Sequence, residues 1–109
     1  MLQLIQTILL LVVLTGQVTV PFANAALAAT GTVHGADLSW TPSVTTSTTT
    51  NVYRATISGG PYTLVTSGLA GSTYHDAGLP SSTTFYWVVT AVRSGVESAH
   101  SNEATATTL

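Results

Sequence analysis

Acid–base, metal or hydrolytic chemistry in this chain would have to rest on three histidines, His34, His75 and His100, and four carboxylates, Asp37, Asp76, Glu97 and Glu103. Paired metal ligands recur at short spacings, because neighbouring turns or strands must aim two side chains at one ion. These histidines fall in three separate segments without such spacing. His75 stands out of phase with its neighbour Tyr74 and is expected to face solvent. A Ser-His-Asp hydrolase can be assembled on paper, since serines abound and Asp37 and Asp76 are present. It lacks the Gly-x-Ser-x-Gly elbow that presents a nucleophile at the end of a strand. Asp76 reads instead as a turn former that bonds the backbone leading into Gly78. Asp37, Glu97 and Glu103 are too scattered for the carboxylate pair of a glycosidase, which also needs a sugar-sized groove. No residue is therefore assigned a catalytic, cofactor-binding or metal-binding role, no cofactor is expected, and the chain reads as a non-enzyme.

The elements that position these side chains are strands. Only 6% of the 109 residues are charged, against about 25% in an average soluble domain. A net charge of -2 and a pI near 5.7 provide no basic footprint for nucleic acid. Without cysteine no disulfide can support the fold, and without lysine much of the polarity falls to Ser and Thr, which suit a pleated surface. Short alternating runs are separated by Gly, Pro, Ser and Thr clusters. Ala36 to Trp40 alternates with Ala36, Leu38 and Trp40 on one face. Thr50 to Ala55 leads through the turn Ser58-Gly59-Gly60-Pro61 into Tyr62 to Val65. Ser72 to Asp76 is short, Phe85 to Val92 is long, and Asn102 to Thr107 closes the series, with a weak strand near Thr30 to Val33. The inward set is expected to be Trp40, Val52, Leu64, Tyr74, Leu79, Phe85, Trp87 and Val89. Tyr53 and Tyr86 fall on an outer sheet face, where they either shield the sheet by cross-strand packing or offer flat rings to a glycan or protein.

Several motifs recur in a characteristic order: Leu38-Ser-Trp40-Thr, Asn51-Val-Tyr-Arg54, Ser58-Gly-Gly-Pro-Tyr62, Tyr74-x-Asp76-x-x-Leu79, Val88-Val-Thr-Ala-Val92, Gly95-Val-Glu-Ser98 and Ser101-Asn-Glu103. Together they resemble the fibronectin type III family, in particular the repeats of secreted bacterial proteins. The resemblance covers residues 30 to 109. It implies an all-β, seven-strand, immunoglobulin-like sandwich with sheets of three and four strands and no intrinsic chemistry. Two departures stand out. The family usually has a tyrosine six residues after the corner leucine, bonding back to the corner backbone; counting from Leu79 reaches Phe85. That hydrogen bond is absent unless Tyr86 or water substitutes, and Phe85→Tyr would be expected to restore it. The second departure is Thr50, where the family often has an inward aromatic, so a thinner core is implied. Arg93-Ser94-Gly95-Val96 stands where some members carry Arg-Gly-Asp, and integrin binding is not carried over.

Residues 2 to 14 are an apolar run of signal-helix length, followed by two small-x-small motifs, Ala23-Asn24-Ala25 and Ala26-Leu27-Ala28. The expected organisation is a signal peptide over residues 1–25 and a fibronectin type III-like domain over residues 26–109. The alternative is an uncleaved membrane anchor, because Leu2 to Val20 is long enough to span a bilayer. The expected function is an exported, secreted or envelope-located spacer or interaction module with protein or glycan partners on its sheet face or loops. The alternative is a carbohydrate-associated accessory module of a secreted polysaccharide-degrading enzyme. Nucleic acid is not an expected partner, and a membrane is one only if the N-terminal helix is retained.

Overall fold

A computed structural model of the protein describes residues 23–43 and 48–109. The expected signal helix lies outside the described residues, and those described contain no helix long and apolar enough to cross a membrane. Eight strands follow in order: β1 (Ala25–Thr32), β2 (Gly35–Thr41), β3 (Thr49–Ala55), β4 (Thr63–Leu69), β5 (Thr73–Ala77), β6 (Thr84–Arg93), β7 (Val96–Glu97) and β8 (Ala104–Thr107). One sheet has the order β1-β2-β5; the other runs β4-β3-β6-β7, with β8 also on β6. Every pairing is antiparallel.

The eighth strand is β7 (Val96–Glu97), which precedes the expected final strand Asn102 to Thr107, seen as β8 (Ala104–Thr107). Both β7 and β8 pair with β6, and between them Ser98 and Ser101 donate their backbone N–H groups to the Ala91 and Val89 carbonyls while their hydroxyls take the reciprocal N–H groups. Ser98 Oγ accepts the Ala91 N–H at 2.9 Å and Ser101 Oγ accepts the Val89 N–H at 3.0 Å. Hydroxyls that bond backbone in this way compete with strand pairing. The first strand is longer than expected and begins at Ala25. Its alanines carry little strand propensity of their own, so pairing with β2 sets its length, with a register irregularity between Ala25 and Ala28.

Between the sheets lie Leu27, Ala36, Leu38, Trp40, Val52, Leu79, Phe85, Trp87, Val89 and Ala104, with Tyr74 and Val65 packed partly against them. Leu64 corrects the expected inward set, since it is 50% exposed. Irregularities on either side of the Val52–Thr66 pair shift β4 against β3, so Leu64 stands opposite the outward Tyr53 and Val65 reaches the core. A one-residue slip in a strand exchanges its two faces.

Thr50 is buried, as the resemblance implied, and a polar side chain meets it. Asn24 Nδ2 donates to Thr50 Oγ1 at 3.0 Å and to the Thr90 carbonyl at 3.2 Å, while Asn24 Oδ1 accepts the Ser43 N–H at 2.9 Å.

The corner after Leu79 also departs from expectation. Among the described residues Tyr86 does not supply the bond that Phe85 lacks. The hydroxyl of buried Thr108 donates to the Pro80 carbonyl at 2.5 Å and accepts the Thr83 N–H at 3.0 Å. Removing a hydroxyl that serves part-buried backbone groups leaves those groups to be desolvated unpaired. Thr108→Val is therefore expected to lower stability by about 1–3 kcal/mol, read from denaturant midpoints. Phe85→Tyr is expected to gain little, because the Thr108 hydroxyl already gives the corner carbonyl a donor.

Candidate functional site

The acidic residues occupy three separate settings. Asp76, expected to order the turn into Gly78, is instead 2% exposed and lies between the sheets. Its oxygens accept Arg54 Nη1 at 2.9 and 2.7 Å and Trp87 Nε1 at 2.9 Å. Strand β5 thus supplies an anion to a cation on β3 and an indole on β6. The Arg54 guanidinium also stands 5.5 Å from the centroid of the Phe85 ring, within cation–π range. The misassigned role was traceable in the sequence: Asp76 has the parity of Tyr74, and Arg54 that of Val52, so alternation turns both pairs inward. A carboxylate closed in by an arginine and an indole is a fastening between sheets.

On the outer face of the larger sheet, the segment that returns after β7 brings His100 against two tyrosines. The His100 ring centroid is 5.8 Å from that of Tyr53 and 5.4 Å from that of Tyr62, edge-on to the latter. Glu97 accepts from Thr90 Oγ1 at 2.6 Å, from Asn51 Nδ2 at 3.4 Å, and from the Tyr53 hydroxyl. Glu103 accepts from Ser58 Oγ at 2.6 Å, from the Gly59 N–H at 2.7 Å, and from the Tyr62 hydroxyl. Tyr86, the other expected outer ring, is half-buried and pairs with Ala55 and Thr105 in the ladders. Cross-strand packing thus accounts for much of this face, and Val88 and Thr90 are buried beneath it.

The hydrogen bonds set the acidity of this cluster. Glu97 is held below the ordinary value of 4.5 chiefly by the Thr90 and Tyr53 hydroxyls, and Glu103 by the Ser58 and Tyr62 hydroxyls. Accepted hydrogen bonds favour the ionised carboxylate. In return Tyr53 is raised mainly by its bond to Glu97, and Tyr62 by desolvation and then Glu103. Because both carboxyls titrate lower when folded, their contribution is complete above about pH 4.5, the unfolded value, and disappears as pH falls through their folded values. Carboxyl carbon NMR titration should place both midpoints below 4.5. Glu97→Gln with Glu103→Gln should remove that part of the acid dependence while leaving the Asp76 contacts in place.

The remaining histidines lie apart from this face. His75 is exposed, as expected, and its Nδ1 is 2.6 Å from Asp37 Oδ1 across the β2–β5 ladder. Ser39 and Thr73 form the next pair but one, and these four residues border a shallow groove of about 520 Å³. Among the described residues no hydrogen bond joins Ser39 to His75. His34 sits in the β1–β2 turn at φ 53°, its Nδ1 3.2 Å from the Leu79 carbonyl. Among the described residues no three His, Asp or Glu side chains are grouped to hold a metal ion.

With the strand order and corner defined, the fold can be placed. An Fn3-like protein from Clostridium thermocellum superimposes with a TM-score of 0.75 and 34% sequence identity, over 82% of this chain and 94% of that one. The chain belongs to the fibronectin type III family. The fibronectin type III domain of human fibronectin type III domain containing protein 3 has the same fold, with a TM-score of 0.69 at 19% identity, over 86% of this chain and 90% of that one. A β-1,2-glucanase from Parabacteroides distasonis contains a similar region, with a TM-score of 0.68 and 26% identity over 79% of this chain, but that region is only 12% of the enzyme. No family model matches the chain, and no curated protein matches it. In fibronectin type III terms β1-β2-β5 is the three-stranded sheet, and β4-β3-β6 with β7 and β8 is the other.

Proposed function

We propose that this fibronectin type III domain is an exported, non-catalytic module that serves as a spacer or interaction scaffold. The observation that carries the reading is that its acidic groups are each engaged within the domain. Asp76 is closed in by Arg54 and Trp87, Glu97 and Glu103 fasten the returning edge segment, and Asp37 pairs with His75. A general acid or nucleophile needs a partner in reach and a cleft that excludes water. Replacing His34, His75 and His100 together by Gln is the test, monitored by circular dichroism, zinc titration and a panel of esterase and glycosidase substrates. The expected result is a folded protein with the same absence of turnover and of tight metal binding as the parent. A parent activity that disappears in the folded triple variant would overturn the scaffold reading.

The second reading, a carbohydrate-associated accessory module, draws on the glucanase of which a similar region forms a small part. Tyr53, Tyr62 and His100 are the rings that a sugar would meet. A glycan array that includes β-1,2-glucan distinguishes the two readings. Binding that is lost in both Tyr62→Ala and His100→Ala would favour the accessory role; no binding would favour the scaffold.

A further inference from the structure

Both small-x-small motifs that follow the apolar N-terminal stretch lie in or against β1, and both contain a side chain the sandwich depends on. In Ala23-Asn24-Ala25 it is Asn24, 4% exposed, which reaches Thr50 on β3, the Thr90 carbonyl on β6 and the Ser43 N–H. Ala25 already pairs with Thr41. In Ala26-Leu27-Ala28 it is Leu27, a core residue whose N–H and carbonyl are both bonded by the Asn102 side chain, at 2.8 and 2.9 Å. Cleavage after Ala25 would discard Asn24 and take away three hydrogen bonds from a buried polar site. Cleavage after Ala28 would also discard a core leucine and half of the first strand.

Loss of partners for buried polar groups and loss of a core side chain are among the most damaging changes a small domain can suffer. A leader designed for removal would leave such residues behind with the domain. We propose that neither motif is a processing site, and that the apolar stretch Leu2 to Val20 stays attached as a membrane anchor for the domain. The proposal rests on the reading that this stretch directs export. Only residues 21–23 separate the apolar stretch from Asn24, at most about 10 Å of extended chain. The module would therefore be held against the membrane surface and would not be released from it. Its partners would be molecules found there.

The test uses the full chain with a C-terminal epitope, expressed in a Gram-negative host, fractionated and characterised by intact mass. The expected product begins at Met1, sediments with membranes, resists carbonate extraction and exposes its epitope to antibody on spheroplasts. A water-soluble exported form that begins at Ala26, at Ala29 or at any other residue overturns the anchor while leaving export intact. An epitope that becomes accessible only after lysis overturns export and the anchor together. Ala25→Leu provides a second arm, because Ala25 is exposed and the larger side chain blocks cleavage without entering the core. Its distribution between fractions should match the parent; a shift from soluble to membrane-bound would show that the motif is used. Residues 23–109 should also melt at a clearly higher temperature than 26–109, and equal melting temperatures would remove the reason for retaining Asn24.

Discussion

Asp76→Ala should be the most damaging single polar substitution in this domain. Removing one partner of a buried ion pair leaves the other as an uncompensated charge, at a cost of about 3–5 kcal/mol. Here the change also leaves the Trp87 indole N–H without its acceptor. The Arg54 side chain retains 31% exposure, so water can solvate part of its charge and the lower end of that range, about 3 kcal/mol, applies. Domains of this kind have roughly 5–15 kcal/mol in total, so the variant should be marginal or unfolded at room temperature. Urea midpoints, followed by tryptophan fluorescence, check this. Asp76→Asn, which keeps an acceptor for Trp87 but not the charge, should fall between parent and alanine. If Asp76→Ala were as stable as the parent, the fastening between sheets would not be structural, and a functional role for the carboxylate would have to be sought.

The two tryptophans should respond differently to the same change. Trp87 is completely buried and donates to Asp76, whereas Trp40 Nε1 is buried with no hydrogen-bond partner among the described residues. Truncating either to alanine removes a large core ring and should cost about 3–5 kcal/mol, enough to abolish cooperative folding in a weak domain. Phenylalanine separates packing from hydrogen bonding. Trp87→Phe loses volume and also leaves a buried carboxylate short of a donor, a further penalty of about 1–3 kcal/mol. Trp40→Phe loses volume but removes a donor that had no partner. The expected order of thermal midpoints is parent, then Trp40→Phe, then Trp87→Phe, with both alanine variants lowest. Equal midpoints for the two phenylalanine variants would mean that the indole–carboxylate bond contributes nothing net.

These two expectations share a cause that also explains the exposed face. A domain with few charges and no cysteine has few means of joining two sheets. It uses Asp76 inside and Asn24 and Thr108 at the ends of the sandwich, while Glu97 and Glu103 fasten segments of the larger sheet to one another. The outer carboxylates are hydrated and replaceable, so substitutions there should act mainly through acid sensitivity. The inner one, Asp76, is not.

Sequence alone determined the class of fold, because alternation has a period of two and the turns are marked by Gly, Pro and Ser: the core assignments of Leu38, Trp40, Val52, Phe85, Trp87 and Val89 all follow from it. The resemblance to the fibronectin type III family in turn marked Phe85 as a corner ring without its hydroxyl and Thr50 as a small inward residue. What it could not determine is which distant residue answers each of these. Thr108 reaches the corner from 28 residues away and Asn24 reaches Thr50 from 26, and no local pattern encodes such pairs. Asp76 was misread for the same reason: a carboxylate is so rarely buried that a turn role outweighed its parity, and only the tertiary structure brings Arg54 and Trp87 to it. Leu64 was misplaced because a bulge, which shifts one strand against its neighbour, leaves no clear trace in the alternation of either strand. Periodicity is local and can be read along the chain; pairing across sheets depends on three-dimensional closure, and that is decided only when both sheets are in place.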